Sequence, residues 1–236
     1  MKRVQNFLAG MDIFLLCMFA GYMAEHGIMD FTKQEFAAKV QTVAGRAVKD
    51  ETEKKVALTF DDGPNPEYTE KLLNGLRERG VKATFFLLGA EVEKYPDIVK
   101  QMYEDGHLIG NHSYEHVNLS TLSDAEAVQQ VDKTNQAISR ITGENPEYIR
   151  PPYGCFKSNL DYKTTMIEVL WDVDPLDWKT SDAAVVTQRI LDQVQDGDII
   201  LLHDASETSV SAAFQVADAL TKEGYIFVTV DEILFD

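Results

Sequence analysis

The chain is poor in cysteine. Two are present, Cys17 and Cys155, among 236 residues. They form no C-x-x-C pair, so no thiolate zinc site is indicated, and a bridge between them is not expected. Basic residues are also scarce. Lys and Arg number 22 against 39 Asp and Glu, for a net charge of −17. A protein that tracks phosphates needs a basic face, which argues against nucleic acid as a partner. G-x-G-x-x-G and G-x4-G-K-[ST] are both absent, so a nucleotide-binding fold has no support. H-E-x-x-H is absent too: Glu115 directly precedes His116 and does not follow His112. The common metalloprotease motif therefore does not apply.

Long apolar runs are nearly missing. The one candidate is Ile13 to Ala24 (IFLLCMFAGYMA), behind Lys2 and Arg3. It has the length of a signal-peptide core, but Asp12 interrupts its extension back to Phe7, and even with Asp12 included Phe7 to Ala24 barely reaches a membrane span. A good cleavage site is lacking, because Tyr22 stands three positions before a cut after Ala24. Residues 1–24 are read as an export leader or membrane anchor, placing the protein outside the cell or in its envelope. Residues 25–54 are read as a linker, since RAVKDETEKK (46–55) is almost entirely charged and polar.

What is present is ordinary globular composition, 44% hydrophobic and 26% charged, enough for a packed core. From Val56 onward, strand and helix patterns alternate. Strands are expected at Val56–Phe60, Ala83–Leu88, His107–Gly110, Tyr148–Arg150, Met166–Val173, Asp198–Leu202 and Tyr225–Val230. Helices are expected over Glu67–Arg79, between Pro66 and Gly80, and over Pro96–Asp105. A further helix follows Ser123, whose pairing with Glu126 is a capping box, and two more cover Ala183–Val194 and Ala212–Lys222. Gly89–Glu93 reads as a helix start. This alternation implies an α/β fold with a parallel sheet, and an open doubly wound sheet and a closed barrel fit it equally.

The polar residues fall in a pattern. Asp61 and Asp62 follow the first strand, in TFDDGP (59–64). His112 and His116 follow the third, Arg150 ends the fourth, Asp174 and Asp177 follow the fifth, and His203 and Asp204 follow the sixth. In α/β folds, sites are built at the carboxyl ends of strands. In a helical turn, residues four apart project on one side, so His112 and His116 could reach one ion. With a strand-end aspartate they make a set that leaves coordination open for water, as hydrolytic zinc requires. The adjacent Asp61 and Asp62 need a cation or open water to offset their repulsion.

These segments resemble the five ordered motifs of the polysaccharide deacetylases, the NodB-homology family: TFDDGP (59–64), HSYEH (112–116), RPPYG (150–154), DPLDW (174–178) and LLHD (201–204). The resemblance runs from about residue 55 to residue 236. Within the family it is closest to the peptidoglycan N-acetylglucosamine deacetylases, through GNHSYEH, RPPYG and WDVDPLDWK. It implies a distorted (β/α) barrel and an N-acetylated glycan substrate. It also implies one divalent ion, zinc before cobalt, on Asp62, His112 and His116. By the same resemblance Asp61 is the general base and Arg150 its partner. The Tyr153 backbone N–H stabilises the oxyanion, His203 is the general acid, Asp174 orients His203, and Trp178 and Leu201 wall the acetyl pocket. Chitooligosaccharide deacetylation and acetylxylan ester hydrolysis use the same site. A non-catalytic carbohydrate binder is the reading from a different class, and the intact set of polar groups argues against it. Asp177, Asp204 and Cys155 receive no role.

Overall fold

The computed structural model describes residues 53–155 and 164–235. The leader and nearly all of the linker lie outside the described residues. Among the described residues no helix is long and apolar enough to cross a membrane.

Seven parallel strands form one sheet: β1 (Lys54–Asp61), β2 (Thr84–Leu87), β3 (Leu108–Asn111), β4 (Tyr148–Ile149), β5 (Ile167–Glu168), β6 (Asp198–His203) and β7 (Tyr225–Phe227). The order is β5-β4-β3-β2-β1-β6. On one edge β1 pairs with β6 throughout Val56–Asp61. Its other edge is shared by β2 near the carboxyl end and β7 near the amino end. The sheet does not stay open. Beyond β5 the chain runs on to Val173, which bridges Ile200 of β6, and Leu201 N–H donates to the Val173 carbonyl at 2.9 Å. That contact brings the two ends of the sheet together and decides for a distorted (β/α) barrel. The expected strand over Met166–Val173 is thus a short β5 plus this single bridge.

Around the strands lie α1 (Thr69–Arg79), α2 (Gly89–Lys94), α3 (Pro96–Glu104), α4 (Asp124–Thr142), α5 (Ala183–Leu191), α6 (Glu207–Lys222) and α7 (Val230–Leu234). Helix α1 stops where Gly80 turns left-handed at φ 65°, a conformation that costs glycine nothing. The Ser123–Glu126 capping box opens α4 as expected. Helix α6 begins five residues before the sequence pattern suggests, because Ser206 caps it by accepting from Ser209 N–H.

Strand residues alternate between two layers. Val56, Leu58 and Phe60 of β1 pack outward into the main core beneath the helices, with Phe85, Leu87, Ile200 and Leu202. Ala57 faces inward with Phe86, Tyr148, Val169 and Ile199 in a small barrel-centre cluster. The β1–β6 register pairs Ala57 with Ile199, Thr59 with Leu201, and Asp61 with His203. The inward column of each strand therefore starts apolar and ends in a titratable group.

Candidate active site

Asp61 ends the inward column of β1 and is buried. Ordinary alternation would send Asp62 to the opposite face. Asp62 instead takes a left-handed φ of 75°, which turns its carboxylate back toward the same side. The Asp62 Oδ1 atom lies 3.5 Å from His112 Nε2 and 3.3 Å from His116 Nε2. The expected helical turn for the two histidines does not form. Ser113 and His116 both have positive φ, 68° and 55°, and the loop they make turns both rings inward, with centroids 5.2 Å apart. Asn111 braces that loop by accepting from Ser113 N–H at 2.8 Å and donating to the Val131 carbonyl of α4.

Asp62, His112 and His116 fit a metal ion. Their ligand atoms all lie within 4.8 Å of one another. A tetrahedral ion with bonds near 2.0–2.1 Å spaces its ligands roughly 3.3–3.4 Å apart, close to the two separations from Asp62 Oδ1 to the histidines. Asp62 Oδ1 is buried without a hydrogen-bond partner, as an atom reserved for a cation would be. His112 Nδ1 lies 2.6 Å from the Arg150 carbonyl. A carbonyl can only accept, so Nδ1 carries the proton and Nε2 presents its lone pair. Burial pulls the His112 pKa down, against the charges of Asp61 and Asp62, which favours the neutral ligand form.

Behind Asp61 lies Arg150, with no exposed surface. Its guanidinium donates to Asp61 Oδ1 at 2.8 Å and to Thr59 Oγ1, and to the Val169 and Leu170 carbonyls. It sits 4.2 Å from the Phe86 ring centre and 5.7 Å from that of Trp171. Burial pulls its pKa down while Asp61 opposes the shift. A guanidinium still remains charged in protein, and with four of its five N–H groups donating it holds the Asp61 carboxylate in place.

A cavity of about 510 Å³ opens at these strand ends. Every residue given a role by the motif resemblance lines it, except Arg150. Leu201 is buried in its wall, whereas Trp178 and Tyr153 stand exposed at its rim. The Tyr153 ring meets His116 edge-on at 4.8 Å.

The Polysaccharide deacetylase family model matches residues 48–169, just over half of the chain. The chain belongs to the polysaccharide deacetylase family. It is 42% identical over 184 residues to the peptidoglycan-N-acetylmuramic acid deacetylase PdaC of Bacillus subtilis, covering 78% of this chain and 39% of the relative. It is 40% identical over 185 residues to the peptidoglycan-N-acetylglucosamine deacetylase PgdA of Listeria monocytogenes, covering 78% of this chain and 40% of the relative. The chain thus spans about two-fifths of the length of these curated relatives. Among solved structures it is similar to PdaC, with a TM-score of 0.76 over 78% of this chain and 91% of that one.

Against this polysaccharide deacetylase family pattern one residue assignment needs correcting. Asp174 does not hold His203. Its Oδ1 accepts from Leu176 N–H at 2.8 Å, and Leu176 takes a left-handed φ of 56°. That turn leads into the short helix Asp177–Lys179 and sets Asp177 against His203. Asp177 Oδ1 lies 2.8 Å from His203 Nδ1, and Asp177 Oδ2 accepts from His203 N–H and from Ser209 Oγ. Burial works against the His203 charge, but the Asp177 hydrogen bond and charge outweigh it, with Asp61 and Asp62 adding. The His203 pKa is pushed up to about 9. Asp177 is held below the usual carboxylate range by the same pairing and by Ser209, despite its burial. DPLDW offers two aspartates three residues apart, and spacing alone cannot say which reaches the histidine.

Proposed function

We propose that this chain is a metal-dependent hydrolase that removes N-acetyl groups from N-acetylglucosamine residues of peptidoglycan. The observation that carries the reading is the convergence, in one cavity, of a metal-ligand triad, an arginine-held carboxylate and an aspartate-held imidazole. A divalent ion on Asp62, His112 and His116, zinc before cobalt, would supply polarisation of the acetamide carbonyl and acidification of water. Asp61, held in place by Arg150, takes the proton of the attacking water. The new C–O bond makes the acetamide carbon tetrahedral, and the Tyr153 backbone N–H donates to the developing oxyanion. His203, held protonated by Asp177, gives its proton to the leaving nitrogen as the C–N bond breaks. The products are acetate and a free amino sugar. Leu201 and Trp178 enclose the acetyl methyl group. Export or membrane anchoring through residues 1–24, and so a place in the cell envelope, belongs to the same proposal.

The name of the PdaC relative supports a second reading, in which the acetylated sugar is N-acetylmuramic acid. Acetate release from peptidoglycan, N-acetylglucosamine oligomers and acetylated xylan, each with zinc and with chelator, tests all of these. Chelator-sensitive release from peptidoglycan, with the free amine mapped to glucosamine, is the expected result. An amine on muramic acid selects the second reading, and release from none of the substrates rejects both.

A further inference from the structure

Asp204 follows the acid His203 in sequence, is 1% exposed, and does not line the cavity. Its position follows from register. Asp61 pairs with His203, so Asp204 continues β6 beside the Asp62–Gly63 turn, on the helix side of the sheet. There its Oδ2 accepts from the Thr69 hydroxyl at the start of α1. Thr69 is itself fully buried, and its Oγ1 accepts from Asn65 N–H at 2.7 Å while its own N–H donates to the Asn65 carbonyl at 3.0 Å. A Cβ built on Gly63 would collide with the Asp204 carboxylate, so the turn rests directly against it. On its other side the Gly63 carbonyl accepts from Leu88 N–H at 3.0 Å.

The turn needs this support. A non-glycine residue in the left-handed region costs on the order of 1–2 kcal/mol, and Asp62 must stay there to face the two histidines. We infer that Asp204 is a positioning residue for the metal site: through Thr69 and against Gly63 it holds the Asp62 backbone in the conformation that aims its carboxylate at His112 and His116. Resting as it does on the metal-site reading above, the inference makes the residue beside the acid responsible for the ligand beside the base.

The test is zinc affinity, measured by competition with a chromophoric chelator on the folded full chain, alongside thermal unfolding of the metal-free form. Asp204→Ala and Thr69→Val are each expected to weaken zinc binding about 10-fold or more, as loss of a ligand's outer support does. The double variant is expected to be little worse than either, because both break one link. Asp204→Asn keeps an acceptor for Thr69 and Thr69→Ser keeps the hydroxyl, so both are expected to bind zinc within about 3-fold of the parent. They also remain informative if Asp204→Ala does not fold. Lowered melting temperatures with unchanged zinc affinity in Thr69→Val and Asp204→Ala would overturn the inference and leave Asp204 a packing residue. Loss of affinity in Asp204→Asn equal to that in Thr69→Val would overturn it in favour of a charge effect. If the parent chain binds no zinc or cobalt, the metal-site reading fails first, and the inference with it.

Discussion

His107 and His203 sit at opposite ends of the barrel, and their imidazoles are driven in opposite directions. His107 precedes β3 at the amino ends of the strands. Burial pulls its pKa down to about 4, with Lys82 adding to the shift and Asp105 opposing it. Its Nδ1 accepts from Ala83 N–H at 3.2 Å, a role only the neutral ring can play. His203 stands at the carboxyl ends, where burial acts in the same sense, yet its pKa rises to about 9. The difference is Asp177, in direct contact with one ring and without a counterpart on the other. Volume is a poor guide by comparison. The cavity beside His107 holds about 660 Å³, more than the 510 Å³ at the site, yet the Asp62, His112 and His116 cluster lines the smaller of the two. A charged partner in contact, and not enclosure, separates a histidine held protonated from one held neutral.

The sharpest way to break the comparison is to remove the proposed base, Asp61, at the His203 end. Asp61→Asn should lower acetate release by roughly 10³-fold while zinc stays bound, which a parallel zinc titration checks. Unchanged release would end the assignment. A smaller effect should follow from uncoupling His203. As the proposed acid His203 must be protonated, so rate should be retained below its pKa and lost as pH rises through about 9. Asp177→Asn should return the ring toward its ordinary pKa, moving the alkaline limb of kcat/KM down by about 2.5 pH units and costing about 30-fold at pH 8.

At the other end, His107→Leu should leave kcat/KM unchanged. The Ala83 N–H would lose its acceptor, at about 1–2 kcal/mol of stability at pH 8. The sign of its pH effect is opposite in kind. The folded-state pKa is depressed, so the parent keeps this stability above pH 6.5 and loses it as pH falls toward 4. Denaturant melts of His107→Leu should lack that acid-side loss. The smallest effect is expected of Asp174→Asn, which should leave the alkaline limb where it is; a shift matching that of Asp177→Asn would reverse the correction made above.

Much of this was legible in sequence for physical reasons. Val56–Phe60 and Ile199–Leu202 are buried on both faces, and such strands read as nearly continuous apolar runs. Polar residues directly after them could only lie at one end of a parallel sheet. The barrel itself was not legible, since closure rests on one bridge at Val173 that no period announces. Loop geometry was hidden too. Left-handed backbone at Asp62, Ser113, His116 and Leu176 aims the ligands and selects Asp177 over Asp174. None of these is glycine, the residue that usually signals such a turn.

Asp61 and His203 occupy one rung of the β1–β6 ladder. Their spacing is thus a property of strand pairing, independent of any loop. Trp178, at the rim, directly follows Asp177, which holds the His203 ring. The rung sets how far apart the proposed base and acid stand, and the Asp177–Trp178 segment sets which way the acid faces. Under the proposed function, a segment exchanged there to alter glycan choice would have to carry Asp177 with it, whereas the β1–β6 rung would need no change.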